Sequence, residues 1–133
     1  MKGICSSHLI SPAKVIRGEK AWNKGKKFIP AICNKPILIG RSSSTLNIRR
    51  TLKTDILKLG LEVISAEVNY DCCELDINRL QILAKNNNCD AVIAAGGGKV
   101  LDSGKLLAQR LSIPCITIPT SAATCAGWTA LSN

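Results

Sequence analysis

Aromatic side chains are scarce in this chain: two Trp, one Tyr and one Phe make up 3% of its 133 residues. Any core must therefore rest on Leu, Ile, Val and Ala, a bias that suits buried parallel strands packed under helices. The same scarcity weakens single-strand nucleic-acid binding, in which bases stack on aromatic rings. No apolar run approaches the ~20 residues that span a bilayer, and the N-terminal MKGICSSHLISPAK lacks the apolar core of a signal peptide. A cytoplasmic protein without membrane contact is expected. The single histidine, His8, reads as a solvated residue and not as a metal ligand. CxxC pairs are also missing. The seven cysteines (Cys5, Cys33, Cys72, Cys73, Cys89, Cys115 and Cys125) are odd in number, so neither a disulfide framework nor a zinc ribbon is expected. Most of them read as small buried hydrophobes.

Acidic residues are few, 9 against 18 Lys and Arg, and the imbalance is uneven. Residues 1–60 hold 13 Lys/Arg against 2 Asp/Glu, whereas residues 61–133 hold 5 against 7. A basic half can attract an anionic cofactor or form a solvated face, and charge alone does not make a nucleic-acid binder.

Strands and helices alternate along the chain. Lys14–Gly18 is a short first strand and Glu19–Phe28 a helix weakened by Gly25. Lys35–Gly40 is a second strand with its proline at the start, where a missing N–H is tolerated. Leu46–Leu59 has helical apolar spacing and ends at Gly60, a C-terminal cap. Leu61–Glu67 is a third strand, followed by a helix around Ile77, Leu80, Leu83 and Ala84 and a turn at Asn86–Asn88. Asp90–Ala95 is a fourth strand, apolar in nearly all positions, then Val100–Leu111 is a helix and Pro114–Ile118 a fifth strand. Such alternation predicts one α/β domain over residues 1–133, a Rossmann-like parallel sheet with flanking helices. Ligands in such sheets sit beyond the carboxyl ends of the strands, where two loops fall: Gly96–Lys99 and Pro119–Thr124.

Gly96, Gly97 and Gly98 follow the fourth strand directly, and Lys99 follows them. Glycine lets the backbone approach a ligand closely. The amide groups at the start of the next helix, its dipole and the Lys99 charge then make an anion site suited to pyrophosphate. The tract is neither GxGxxG nor the GxxxxGK[ST] loop, so its context carries the reading. Asp102 lies one turn into that helix. It either pairs with Lys105 on the surface or meets a ligand hydroxyl near the turn. The second loop is rich in small and hydroxylated residues, which leave room for a ligand and can bond to it, or which simply cap a helix.

GGGKVLDSGK (Gly96–Lys105) followed by IPCITIPTSAATCAGWTALS (Ile113–Ser132) resembles glycerol dehydrogenase and the iron-containing alcohol dehydrogenase family, and the upstream β–α pattern agrees. The resemblance implies the N-terminal domain of a dehydroquinate synthase-like fold. It also implies an NAD(P)-dependent oxidoreductase that moves hydride between a polyol or alcohol and NAD, or NADP. Gly98 and Lys99 would contact the pyrophosphate, with Gly96 and Gly97 shaping the turn. Thr120 would line the cleft near ribose and nicotinamide, and Thr124, Thr129 and Leu131 would continue that wall. Cys125 takes the place of an Asp that contacts substrate in glycerol dehydrogenases, which argues against glycerol itself. Ala123 replaces a hydroxyl residue. After the second strand, where an acidic residue often binds the adenosine ribose, stands Arg41, a residue that favours a 2′-phosphate.

The family's metal, zinc or ferrous ion, is held by an Asp and two His in a C-terminal helical domain. The chain ends at Asn133, and its expected role is a cofactor-binding part truncated before that domain. Its apolar cleft surface would then favour self-association into a homo-oligomer. A non-enzymatic or degenerate nucleotide-binding module and a dehydroquinate synthase-like relative are the alternatives.

Overall fold

The run Ala91–Gly96 (β4) is buried at all six positions, as its unbroken apolar sequence requires. It sits inside a six-stranded sheet seen in a computed structural model that describes residues 14–17, 21–41, 43–69, 73–120 and 128–132, with backbone alone for 14–17, 44 and 128–132. Beside β4 lie Pro36–Gly40 (β2) on one side and Cys115–Pro119 (β5) on the other, both parallel to it and both wholly buried. Ile64–Glu67 (β3) extends the sheet beyond β2, also in parallel. The four parallel strands, β5, β4, β2 and β3, thus follow the expected arrangement.

The other edge departs from it. Trp128–Ser132 (β6) runs antiparallel to β5, and Lys14–Arg17 (β1) runs antiparallel to β6, giving the order β1-β6-β5-β4-β2-β3. The first strand therefore lies at the far edge in an antiparallel pair, outside the expected parallel sheet. Its partner, β6, comes from a segment expected only as cleft wall. An antiparallel edge on a parallel core needs no crossover helix, so the alternation rule does not detect it.

Helices cover both faces. Leu46–Lys58 (α3) links β2 to β3, and Leu52 and Ile56 pack on Leu38, Ile93 and Ile116. Glu74–Asn86 (α4) and Gly98–Leu111 (α5) cover the opposite face, where Leu80, Ala84 and Leu107 meet Ile37, Ile39 and Val92. The expected helix over Glu19–Phe28 is broken into Ala21–Gly25 (α1), a tight 3-10 turn at Lys26–Phe28, and Ile29–Ile32 (α2), which carries Pro30 in its first turn. Proline at a helix start removes only an amide that had no partner. Other limits shift slightly: β3 starts at Ile64, three residues late, and α5 starts at Gly98, two residues early.

Helix ends behave as their residues dictate. Gly60 follows α3 at φ +88° and donates to Leu57 O at 3.0 Å. Asn88 turns left-handed after α4, with Asn88 N–H bonded to Lys85 O and Cys89 N–H to Ala84 O. At the amino ends of the strands, the Asp90 carboxylate accepts the amides of Asn34 and Lys35 at 2.7 and 2.8 Å, tying β2 to β4.

Order and direction together define a switch point. The chain passes from β2 outward to β3, then returns to β4 on the other side of β2. The crevice beyond the carboxyl ends of β2 and β4 is where such a sheet offers a ligand its place.

Candidate functional site

The site is built where β4 gives way to α5. Gly96 closes the strand, and a Cβ there would stand 3.0 Å from both Cβ and Cγ2 of Val100, so the turn closes this tightly only with glycine. Gly97 is the N-cap, extended at φ −82° and ψ −174°, and its carbonyl accepts the Leu101 amide at 3.0 Å. The amides of the first turn of α5 therefore open toward the crevice. Gly98 differs from Gly96: a Cβ added there would meet nothing within 4 Å. Packing within the chain does not require glycine at 98, whereas a ligand lying on the helix start would. Lys99 stands exposed beside it.

The start of the second loop, Pro119 and Thr120, is fastened to the first. Gly96 is the register partner of Pro119, and the Thr120 amide donates to Gly96 O at 2.9 Å. The Thr120 hydroxyl is buried and has no hydrogen-bond partner among the described residues. A buried hydroxyl of this kind fits a polar ligand group arriving from the crevice.

A cleft of about 250 Å³ opens at the glycine turn, lined by Arg41, Thr45 and the segment Gly96–Val100, with Thr120 behind this lining and not part of it. Arg41 follows β2 directly and Thr45 precedes α3. Among the described residues, the charged ones that line it, Arg41 and Lys99, are both cationic. A second cleft, about 280 Å³, lies between α3 and β3 and includes Leu38, Arg49, Lys53 and Glu67. It is slightly larger but away from the glycine turn. Arg49 is buried there, lies where a Cβ on Gly40 would have to go, and donates to Glu67 Oε2 at 3.4 Å.

The remaining expected site residues divide. Asp102 is exposed on α5, does not line the cleft and forms no ion pair with Lys105. Thr129 and Leu131 belong to β6. Leu131 is opposite Ile116, so β6 carries it away from the carboxyl ends of the parallel strands, and Thr129 is two positions nearer to them. Ala123, Thr124 and Cys125 lie outside the described residues. Thr45 was not anticipated. Its only local signal is its place before a helical run, since its nearness to the glycines depends on β2 and β4 being neighbours.

No group of three or more His, Cys, Asp or Glu among the described residues is placed to hold a metal ion. No helix of the described residues is long and apolar enough to cross a membrane. Cys33 and Cys115 are buried, and burial pushes both thiols up to about 12. Asp90 adds to the rise at Cys33, while Lys105 opposes it at Cys115.

The family model of iron-containing alcohol dehydrogenases matches residues 12–133. The chain belongs to the iron-containing alcohol dehydrogenase family. It is 36% identical over 127 residues to an uncharacterized oxidoreductase of Synechocystis sp., covering 96% of this chain and 32% of that protein. It is 30% identical over 122 residues to a glycerol dehydrogenase of Escherichia coli O6:H1, covering 92% of this chain and 33% of the relative. The fold is similar to the crystal structure of glycerol dehydrogenase from Schizosaccharomyces pombe, with a TM-score of 0.69 at 19% identity over 78% of this chain and 26% of that one. This iron-containing alcohol dehydrogenase family chain thus spans about a third of the length of the curated relatives it matches.

Proposed function

We propose that this chain is the dinucleotide-binding part of an oxidoreductase that transfers hydride reversibly between an alcohol or polyol and a nicotinamide cofactor. The observation that carries the reading is Gly98. Its missing side chain leaves open space above the first turn of α5, and nothing inside the chain needs that space. A pyrophosphate placed there accepts hydrogen bonds from the first-turn amides and lies in the field of the helix and of Lys99. Gly96 brings the backbone close enough, and its carbonyl, engaged by the Thr120 amide, holds Thr120 beside the turn. The Thr120 hydroxyl can then donate to a ribose or carboxamide oxygen.

In the reaction, the alcohol carbon gives up a hydride to the nicotinamide ring and the hydroxyl gives up a proton. The nicotinamide supplies the hydride acceptor when bound. This chain's own part is to hold the cofactor and orient it from the β4–α5 turn. The described residues do not fit the family's metal, having no group of three or more His, Cys, Asp or Glu placed to hold it. Cys125, by the resemblance, stands at the substrate, where a thiol replaces a charged acceptor. Alcohols less hydroxylated than glycerol suit it better.

Gly98→Ala tests the reading. The added methyl has room, so the melting temperature should stay unchanged or rise. NADH and NADPH, titrated by fluorescence or calorimetry, should both bind the original chain and both lose about tenfold or more in the variant, the loss of one or two charge-assisted hydrogen bonds. Undiminished binding by Gly98→Ala would overturn the assignment of the pyrophosphate to this turn. Lack of binding of either cofactor to the original chain would overturn the function.

A further inference from the structure

We propose that the second cleft, between α3 and the edge strand β3, is a separate anion site that takes a phosphate monoester with a small apolar body. It shares no lining residue with the cleft at the glycine turn, so it stands whether or not a dinucleotide binds there.

α3 gathers its cations at this place. Arg49 and Lys53 are four residues apart, and Arg50 and Lys53 three, so the three occupy neighbouring positions on one side of the helix. All three line the cleft. Arg49 is the buried one, and its seat is built into the sheet: its side chain crosses Gly40 at the end of β2 and fills the space that a Cβ there would need. Across the cleft, Glu67 Oε2 accepts from Arg49 at 3.4 Å. Arg50 and Lys53 are exposed, and neither pairs with a carboxylate among the described residues. The acids of this face are already engaged: Asp55 with Trp22 and Lys26, Glu62 with Lys35, and Glu67 with Arg49. Like charges at this spacing repel, and a bound anion relieves the repulsion.

Charge, donor geometry and floor select the ligand. Arg49, Arg50 and Lys53 against Glu67 leave the lining with three positive charges to one negative, a net +2. A phosphate monoester near neutral pH carries close to two negative charges. The two guanidinium groups present paired N–H donors that fit phosphate oxygens, and the Ser65 hydroxyl on the β3 wall adds another donor. Leu38, Leu46 and Ala66 supply apolar surface that a bare phosphate would leave uncovered. At about 280 Å³ the cleft falls just below the roughly 300–1,000 Å³ of sites for drug-sized ligands, so the apolar body is about the size of one ring.

Phenyl phosphate is the probe, with inorganic phosphate and phenol as its two halves. In spectra of the isotope-labelled chain, the amide signals of residues 65–67 report this cleft and those of residues 97–100 the glycine turn. The signals of residues 65–67 should saturate with phenyl phosphate at about tenfold or more lower concentration than with inorganic phosphate, and should not respond to phenol. Arg50→Gln and Lys53→Gln together should weaken this binding about tenfold or more. Glu67→Gln should tighten it, because the phosphate no longer meets a carboxylate or competes with one for Arg49. These three side chains are exposed, so the variants should melt as the original chain does. Gly98→Ala should leave the titration of residues 65–67 unchanged. Signals there that never saturate, or saturation that survives the double variant, would overturn the site. Shifts confined to residues 97–100 and lost in Gly98→Ala would also overturn it, and would place the anion at the glycine turn instead.

Discussion

Cysteine shows how far one residue's surroundings change its chemistry in this chain. Cys33 ends up behind α2 with its thiol directed at Ile29 O, 3.8 Å away, and Cys115 opens β5 inside the sheet. Both thiols hold their protons up to about 12, against an ordinary value of 9.0, chiefly because burial disfavours the thiolate. Below pH 9.0 both folded and unfolded chains keep these protons, and the contribution to stability is fully present. Above it the unfolded chain releases protons that the folded chain retains, so stability falls as the pH rises toward 12. Raising the pH from 8 to 10.5 should therefore lower the melting temperature more steeply in the original chain than in a Cys33→Ala, Cys115→Ala double variant. Equal slopes would show that these thiols do not couple to folding. Neither residue is a nucleophile in this range, consistent with the reading of the cysteines as small hydrophobes.

At the scale of elements, α5 serves both the core and the site. Gly104, two turns into it, lies so close to β4 that a Cβ would stand 2.5 Å from Ala94 Cβ. Gly104→Ala forces the helix off the strand, costing about 1–3 kcal/mol of overpacking against about 1 kcal/mol gained in helix propensity. The helix start carrying Gly98 and Lys99 moves with it, so cofactor affinity should fall as well. Ala94→Gly placed in the same chain removes the obstructing methyl and should restore part of both losses. Strict additivity of the two substitutions in urea denaturation would show that the contact does not set the helix position. The tight approach at Gly104 was not legible in the sequence, whereas β2, β4 and α3 were, to within about a residue, from apolar runs and 3.6-residue spacing. The glycine turn was legible because strand, glycines and helix are consecutive. β6 was hidden because Trp128–Ser132 is short and neutral and pairs with β5 and β1 only after the fold has formed. Arg41 could be located as the residue after the second strand. Its sharing of a cleft with Gly96 could not, because strand order is a property of the sheet and leaves no local trace.

At the scale of the whole molecule, the uneven charge acquires a direction. The basic half, residues 1–60, supplies β2, α3 and Arg41, while the acidic half supplies β4, α5 and Lys99. The sheet brings β2 against β4, so the cleft opens at the seam and takes one lining cation, Arg41 or Lys99, from each half. An anionic cofactor then approaches through the field of the basic half, and NADPH, with its extra phosphate, feels this field more than NADH does. The Debye length falls from about 30 Å at 0.01 M salt to about 3 Å at 1 M, which removes long-range attraction but leaves close contacts in place. Across that range the association rate for NADPH should drop by about tenfold or more while dissociation changes little. The drop for NADH should be shallower, and Arg41→Asp should bring the two slopes together. Stopped-flow fluorescence at graded sodium chloride measures all four. Association rates that do not respond to salt would mean that the basic half is a solvated surface only, and that the cleft draws its cofactor by contact alone.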